Sequence, residues 1–307
     1  VVVTPSVKPI IAVVGATASG KTDLSLDLAE RLDGEIVNTD AMAIYRGMDI
    51  GIAKIPIEQR RGIAHHLLDF ATVRDADVSV ADFQRRARAV IAEIRDRGKV
   101  PILVGGSALY TRAILDEFEF PGTDPVVRAR LEAELEEFGA AALYRRLQDT
   151  DPAAAAQILP DNGRRIVRAL EVGELTGESF TATLPRMTYV DTATVQIGVD
   201  IDRPTLDLRI EQRVERMFAE GLVREVEVLL RDGLADSRTA SRAIGYREVI
   251  AMLEGRLTLE GALERTVAAT RRFARRQESW FRKDPRVHWV TWNDPDRVEQ
   301  ALTAIHN

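Results

Sequence analysis

The sequence contains no cysteine, which excludes a disulfide, a thiolate zinc site and a cysteine nucleophile. No stretch approaches ~18 consecutive apolar residues, so a membrane-spanning helix is excluded. The four histidines include the pair His65-His66, which has no partner at metal-ligand spacing, so a histidine metal site is not expected. With the first strand expected by about residue 10, no signal peptide is expected. Together these absences predict a cytoplasmic protein. Nor is there an excess of positive charge: the net charge is −6, which taken alone argues against a nucleic-acid partner. Local patches decide electrostatic binding, however. Arg164, Arg165 and Arg168 form one, and Arg271, Arg272, Arg275, Arg276, Arg282 and Lys283 form another, interleaved with Phe273, Trp280 and Phe281.

What is present is a phosphate loop. Residues 15–22 read Gly15-Ala16-Thr17-Ala18-Ser19-Gly20-Lys21-Thr22, a full G-x-x-x-x-G-K-[ST] pattern directly after the apolar run Ile10–Val14. Strand, glycine-rich turn and helix is the context in which such a loop cradles phosphates. Gly15 and Gly20 let the backbone turn its N–H groups inward, and the helix start adds partial positive charge there. Lys21 is placed to pair with phosphate oxygens and the Thr22 hydroxyl to hold Mg²⁺.

The first 120 residues alternate between strands and helices. Strands are predicted at Ile10–Val14, Glu35–Asn38, His66–Asp69 and Val100–Val104, and helices at Lys21–Leu32 and Val80–Arg97, the latter capped by Ser79. This pattern predicts an α/β fold, a P-loop NTPase-like parallel sheet with ligands at the carboxyl ends of its strands. From Asp124 the pattern becomes wholly helical: Arg128–Phe138, Ala141–Gln148, Pro152–Ile158 and Gly163–Thr176, closed by a loop over 177–188. Val195–Ile201 returns to the sheet. Helices are then expected at Thr205–Glu220, Val223–Asp232, Ala243–Glu254 and Leu259–Lys283, with a last strand at Val287–Trp292. The predicted organisation is a core of residues 1–122 and 191–307 interrupted by a helical insertion domain, 123–190.

Asp40 stands at the end of the second predicted strand. It suits a general base, a metal ligand through water, or a turn aspartate. Gly105-Gly106 ends Val100–Val104 where many P-loop NTPases carry the aspartate that helps hold Mg²⁺, and its absence argues against ordinary ATP hydrolysis. The two glycines suit either the close approach of a ligand or a plain turn. Phe273, Trp280 and Phe281 are expected to face the core. Arg209 and Arg213 share one helix face, where they either pair with carboxylates or clamp a pyrophosphate.

In order and spacing, these segments resemble the tRNA dimethylallyltransferases. The resemblance runs through GATASGKT (15–22), NTDAMAIYRGMDIGIAK (38–54), HHLLD (65–69), SVADF (79–83), PILVGGSALY (101–110), DPVVRARL (124–131), DNGRRIVRALEV (161–172), RIEQRVERM (209–217), GLVREV (221–226), RAIGYRE (242–248) and TRRFARRQESWFRKD (270–284). It implies transfer of a dimethylallyl group from dimethylallyl diphosphate to the N6 amine of the adenosine 3′ to the anticodon, in tRNAs reading codons that start with U. The phosphate loop would then hold a diphosphate rather than a nucleotide, with Lys21, Thr22, Mg²⁺ and Arg213 on it and Asp40 as base. Asp40, Ala41, Met42, Ala43, Ser107, Arg128, Arg164, Arg165, Arg168, Arg242, Gly245, Tyr246 and Arg247 fall at positions implied to contact the tRNA anticodon stem-loop, on which the insertion is expected to close as a hinged clamp.

Four residues depart from the family pattern: where the family reads D-S-x-Q the sequence has Asp40-Ala41-Met42-Ala43, so that Ala41 replaces the serine. Ala43 replaces a glutamine associated with reading the anticodon loop, Ser107 replaces threonine while keeping the hydroxyl, and Ala16 replaces the usual loop proline. A small-molecule kinase would share the phosphate loop and a helical lid. It would have no use for the basic C-terminal helices. A monomer is expected.

Overall fold

The computed structural model describes residues 8–75, 78–118, 120–183 and 187–307. The expectation drawn from residues 1–7 lies outside them, as does the part of the closing loop at 184–186. The elements in chain order begin with β1 (Ile10–Val14), α1 (Lys21–Leu32), β2 (Gly34–Asn38), β3 (His65–His66), α2 (Val80–Asp96), β4 (Val100–Val104) and α3 (Ala108–Leu115). They continue with α4 (Pro125–Thr150), α5 (Pro152–Ala155), α6 (Gly163–Thr176), β5 (Thr194–Asp200), α7 (Arg203–Ala219) and α8 (Leu222–Arg231). The last are α9 (Tyr246–Leu253), α10 (Leu259–Phe281), β6 (Val287–Thr291) and α11 (Arg297–His306).

All six strands run parallel in one sheet, in the order β3-β2-β4-β1-β5-β6. Alternate residues of β1 enter opposite layers, as the two-residue period of a strand requires. Ile10, Ala12 and Val14 join Phe83, Tyr45, Tyr246 and Phe281 on one face. Ile11 and Val13 join Leu24, Leu28, Ile102 and Leu302 on the other. Burial on both faces explains why β1 reads as an unbroken apolar run rather than an alternating one.

The chain forms two compact units, one up to Leu115 together with Tyr189–Asn307, the other Asp116–Thr188. The second is built from α4, α5 and α6 around Leu131, Leu143, Leu147, Ile158, Ile166 and Leu170. Gly139 (φ 76°, ψ 165°) breaks α4 into two helical runs, in agreement with the separate helices expected on either side of it. Asp151 accepts the Ala154 N–H, the Phe180 N–H and the Ser179 hydroxyl, tying α5 to the turn after α6.

Elsewhere the elements differ from expectation at identifiable places. β3 stops at His66 because Leu67 (φ 60°) and Asp69 (φ 57°) turn left-handed. α9 begins at Tyr246 rather than Ala243, since Gly245 (φ 91°) breaks the helical path. Two helices, α3 and α11, were not anticipated at all. Among the described residues no helix is long and apolar enough to cross a membrane.

Candidate active site

The carboxyl ends of β1, β2 and β4, three adjacent strands, bring together the phosphate loop, Asp40 and Gly105-Gly106. In the loop, Gly15 (φ 140°) and Gly20 (φ 99°) take backbone angles closed to most side chains. A Cβ on Gly15 would come within 3.1 Å of the Val199 carbonyl on β5. Within the loop, the Ser19 N–H is donated to the Ala16 carbonyl and the Thr17 N–H to the Gln277 side chain. No acceptor among the described residues takes the N–H of Gly20, Lys21 or Thr22, the donors left over at a helix start. Two side-chain atoms beside them, Ser19 Oγ and Arg209 Nη1, are also buried without a hydrogen-bond partner among the described residues. Buried polar atoms of this kind are uncommon and mark strain or a ligand.

The charges point to the ligand. Lys21 Nζ donates to the Ala16 carbonyl at 2.5 Å. Burial and the neighbouring Arg213 cation lower its pKa to about 7, against a smaller opposing effect of Asp40. Arg213 is itself held below the usual guanidinium range by burial and by Arg209 and Arg216, with Asp23 acting in the opposite sense. It reaches Thr17 Oγ1 at 3.4 Å, and Arg209 stacks on the Trp292 ring at 4.5 Å. Cations that depress one another, beside free N–H groups, are complementary to a multivalent anion. The clamp alternative for Arg209 and Arg213 therefore fits, and neither forms an ion pair among the described residues.

Asp40 is fixed by a local network. Asn38 Nδ2 donates to the carbonyls of Asp40 and Leu67, and Asn38 Oδ1 accepts the Asp40 N–H. Asp40 Oδ1 accepts the Met42 N–H at 2.8 Å, while no hydrogen bond engages Oδ2 among the described residues. The turn role and the availability of a carboxylate oxygen therefore coexist in one residue. Ala43 is buried, and Ala41 and Met42 are half-buried beside it. Ser107, also half-buried, accepts the Tyr110 N–H at the start of α3.

Gly105 and Gly106 admit protein rather than ligand. A Cβ on Gly105 would meet Thr39 Oγ1 at 2.1 Å, and one on Gly106 would meet Gln277 Nε2 at 2.0 Å. Gln277 was not anticipated as a site residue. Its neighbours in TRRFARRQESWFRKD draw attention by charge, and its partners lie far away in sequence.

A second unanticipated residue is Glu225 on α8, which accepts the N–H groups of Asp49, Ile50 and Gly51 and the Tyr246 hydroxyl. Burial and the Glu225 charge push the Tyr246 phenol up. Tyr246 is fully buried, so its side chain offers RNA no surface, and Gly245 is buried with it. Arg242 and Arg247 are exposed, although Arg247 Nε donates to Glu248. Lys54 is sequestered between Asp49 and Asp69, at 2.7 and 2.6 Å.

The arginine patches divide in the same way. In the helical unit, Arg128 and Arg168 both pair with Glu171, which is wholly buried. Their hydrogen bonds outweigh the effect of burial and hold the Glu171 carboxyl below its usual range. Arg168 also donates to the carbonyls of Pro121 and Gly122. Arg164 and Arg165 remain exposed. On α10 Arg271 pairs with Glu211, and just beyond its end Arg282 pairs with Asp200. Arg272, Arg275 and Arg276 are exposed, as is Trp280 at 56%. Phe281 lies in the core as expected, whereas Trp280 does not.

Among the described residues no group of three acidic or histidine side chains is placed to hold a metal. A Mg²⁺ bound chiefly by phosphate oxygens needs fewer protein ligands, and the exposed Thr22 in the first turn of α1 fits that donor set.

The IPP transferase family profile matches residues 43–284. The chain is 68% identical to a tRNA dimethylallyltransferase of Nocardioides over 98% of its own length and 97% of that protein. It is 57% identical to one of Streptomyces coelicolor, over 98% and 96%. Among solved structures, it matches a tRNA isopentenylpyrophosphate transferase of Bacillus halodurans at 39% identity and TM-score 0.69, over 98% of this chain and all of that one. It matches a eukaryotic dimethylallyltransferase acting on tRNA at 25% identity and TM-score 0.82, over 96% and 77%.

Proposed function

The chain belongs to the IPP transferase family, and from that premise we propose how its residues carry out dimethylallyl transfer to tRNA. The donor is dimethylallyl diphosphate, seated on the phosphate loop. Its diphosphate accepts hydrogen bonds from the N–H groups of Gly20, Lys21 and Thr22 and meets Lys21, Arg209 and Arg213. These groups stabilise the negative charge that grows on the leaving oxygen as the allylic C–O bond breaks. The Thr22 hydroxyl would hold a Mg²⁺, which would supply further stabilisation of this charge.

The acceptor is the exocyclic N6 amine of the adenosine 3′ to the anticodon, in tRNAs reading codons that start with U. The amine is a poor nucleophile because its lone pair is shared with the aromatic ring. As the N–C bond forms, Asp40 takes the proton that the amine releases, and diphosphate leaves. The base must leave its stack to reach the pocket, as enzymes acting on a single base require. Ala41, Met42 and Ser107 line the approach, with Ala43 buried beneath them, and Arg164, Arg165, Arg242 and Arg247 hold the phosphates of the anticodon stem-loop. Action on tRNA suits a cytoplasmic protein, and the chain works as a monomer.

One observation supports this reading most. The Lys21 amine feels the charges of both the Arg213 guanidinium and the Asp40 carboxylate, and the loop and Asp40 follow neighbouring strand ends of one sheet, which supports an anion site beside a base. The test is to incubate the protein with dimethylallyl diphosphate, Mg²⁺ and unmodified tRNA without ATP, then digest the RNA for nucleoside mass analysis. Isopentenyl adenosine is expected, and its absence would sink the proposal.

A further inference from the structure

Gln277 is a polar side chain on the buried face of α10, 5% exposed, between the core residues Ala274 and Phe281. A buried amide is costly unless both its ends are bonded, and here both are. Oε1 accepts the Thr17 N–H at 2.8 Å, and Nε2 donates to the Gly106 carbonyl at 2.8 Å. Glycine leaves the room that the amide occupies, because a Cβ at 106 would reach 2.0 Å from Nε2 and push it aside.

We infer that Gln277 is a positioning residue that latches the phosphate loop to the end of β4 and so sets the loop's placement against Asp40. The latch reaches both halves of the site. β4 lies between β1, which leads into the loop, and β2, which leads into Asp40. The Thr39 N–H is donated to the Val104 carbonyl, and Gly105 lets Thr39 pack against the same strand end. Thr17 is held twice, through its N–H by Gln277 and through its hydroxyl by Arg213. The N–H that Gln277 occupies is not among those left free at Gly20, Lys21 and Thr22, so the latch shapes the cradle without competing for its ligand. An apolar side chain of equal length would fill the space while leaving the Thr17 N–H and the Gly106 carbonyl unpaired.

This rests on the diphosphate reading of the loop, and the experiment separates the two. Wild type and Gln277→Met are compared in steady-state transfer, varying dimethylallyl diphosphate and tRNA in turn. Loss of the latch is expected to lower kcat/KM for the diphosphate on the order of 10- to 100-fold, with the KM for tRNA unchanged. A merely structural role would lower only kcat, in step with thermal stability, and leave the KM for the diphosphate as unchanged as that for tRNA. Gly106→Ala, which displaces the Gln277 amide, is expected to show the same selective loss. If wild type does not use dimethylallyl diphosphate, the functional reading fails. If wild type does and both variants match it, the latch is refuted. Amide hydrogen exchange on wild type alone gives a test independent of how the variants fold: the Thr17 N–H is expected to exchange more slowly than that of Gly20. Equal rates would overturn the inference.

Discussion

Glu225 on α8 accepts the Tyr246 hydroxyl on α9 at 2.5 Å, and the same carboxylate gathers three consecutive N–H groups from Asp49 to Gly51. One half-buried carboxylate thus fixes the polar loop that follows Asp40. The Tyr246 ring fits against Gly51, where a Cβ would approach it to 2.4 Å. Tyr246→Phe keeps the ring and removes one hydrogen bond to a charged acceptor, a loss of about 1.5–3 kcal/mol. Urea denaturation should report that loss, with tRNA affinity nearly unchanged. Unchanged stability with weakened tRNA binding would instead make Tyr246 an RNA contact.

Sequence legibility follows the distance between partners. The phosphate loop is legible because its residues are contiguous and flanked by a strand and a helix. Asp40 is legible as a candidate because strand ends in a parallel sheet face the ligand. Gln277 and Glu225 are not, because their partners at Thr17 and at Asp49–Gly51 become neighbours only after the sheet is assembled. Gly105-Gly106 draws the eye for a sound reason, close approach, but what approaches is Thr39 and Gln277. The pattern for α11 is present in Val298, Ala301, Leu302 and Ile305, at helical spacing on one face. Arg128 and Arg168 look like RNA-binding charges until the buried Glu171 is seen between them.

Asp40→Asn preserves the side-chain oxygen that accepts the Met42 N–H and removes the carboxylate that would take the amine proton. Turnover should fall on the order of 10²–10⁴-fold, while tRNA binding and thermal stability stay close to wild type. Single-turnover kinetics with saturating tRNA would separate the two effects. If transfer survives at the wild-type rate, Asp40 is not the base.

The two pairs of arginines in the helical unit should behave differently. Arg164 and Arg165 are exposed, so neutralising both should weaken tRNA binding and flatten its salt dependence by roughly 1–2 in the log–log slope. Removing Arg128 and Arg168 together leaves the buried Glu171 without a cation and should destabilise the protein by about 3–5 kcal/mol. Filter binding across a salt series, alongside denaturation of each variant, distinguishes the cases. An unchanged slope for the first pair would show that these two arginines do not meet phosphate.

Lys21 makes the site sensitive to pH. Its pKa in the folded protein is about 7 against an ordinary 10.5. Between those values the unfolded chain holds a proton that the native chain has released, so stability rises with pH across that window. Below about 7 both states are protonated and the destabilisation is complete. Lys21→Met should therefore stabilise the ligand-free protein near neutrality and remove this rise. A bound diphosphate favours the ammonium form, so binding at about pH 8.5 should take up a proton and affinity should weaken as the pH rises above 7. Calorimetry of dimethylallyl diphosphate binding in two buffers of different ionisation enthalpy measures that uptake, and the Lys21→Met variant gives the background from other groups. Equal uptake in the two proteins would mean that Lys21 keeps its proton without the ligand, contrary to the crowding of cations around it.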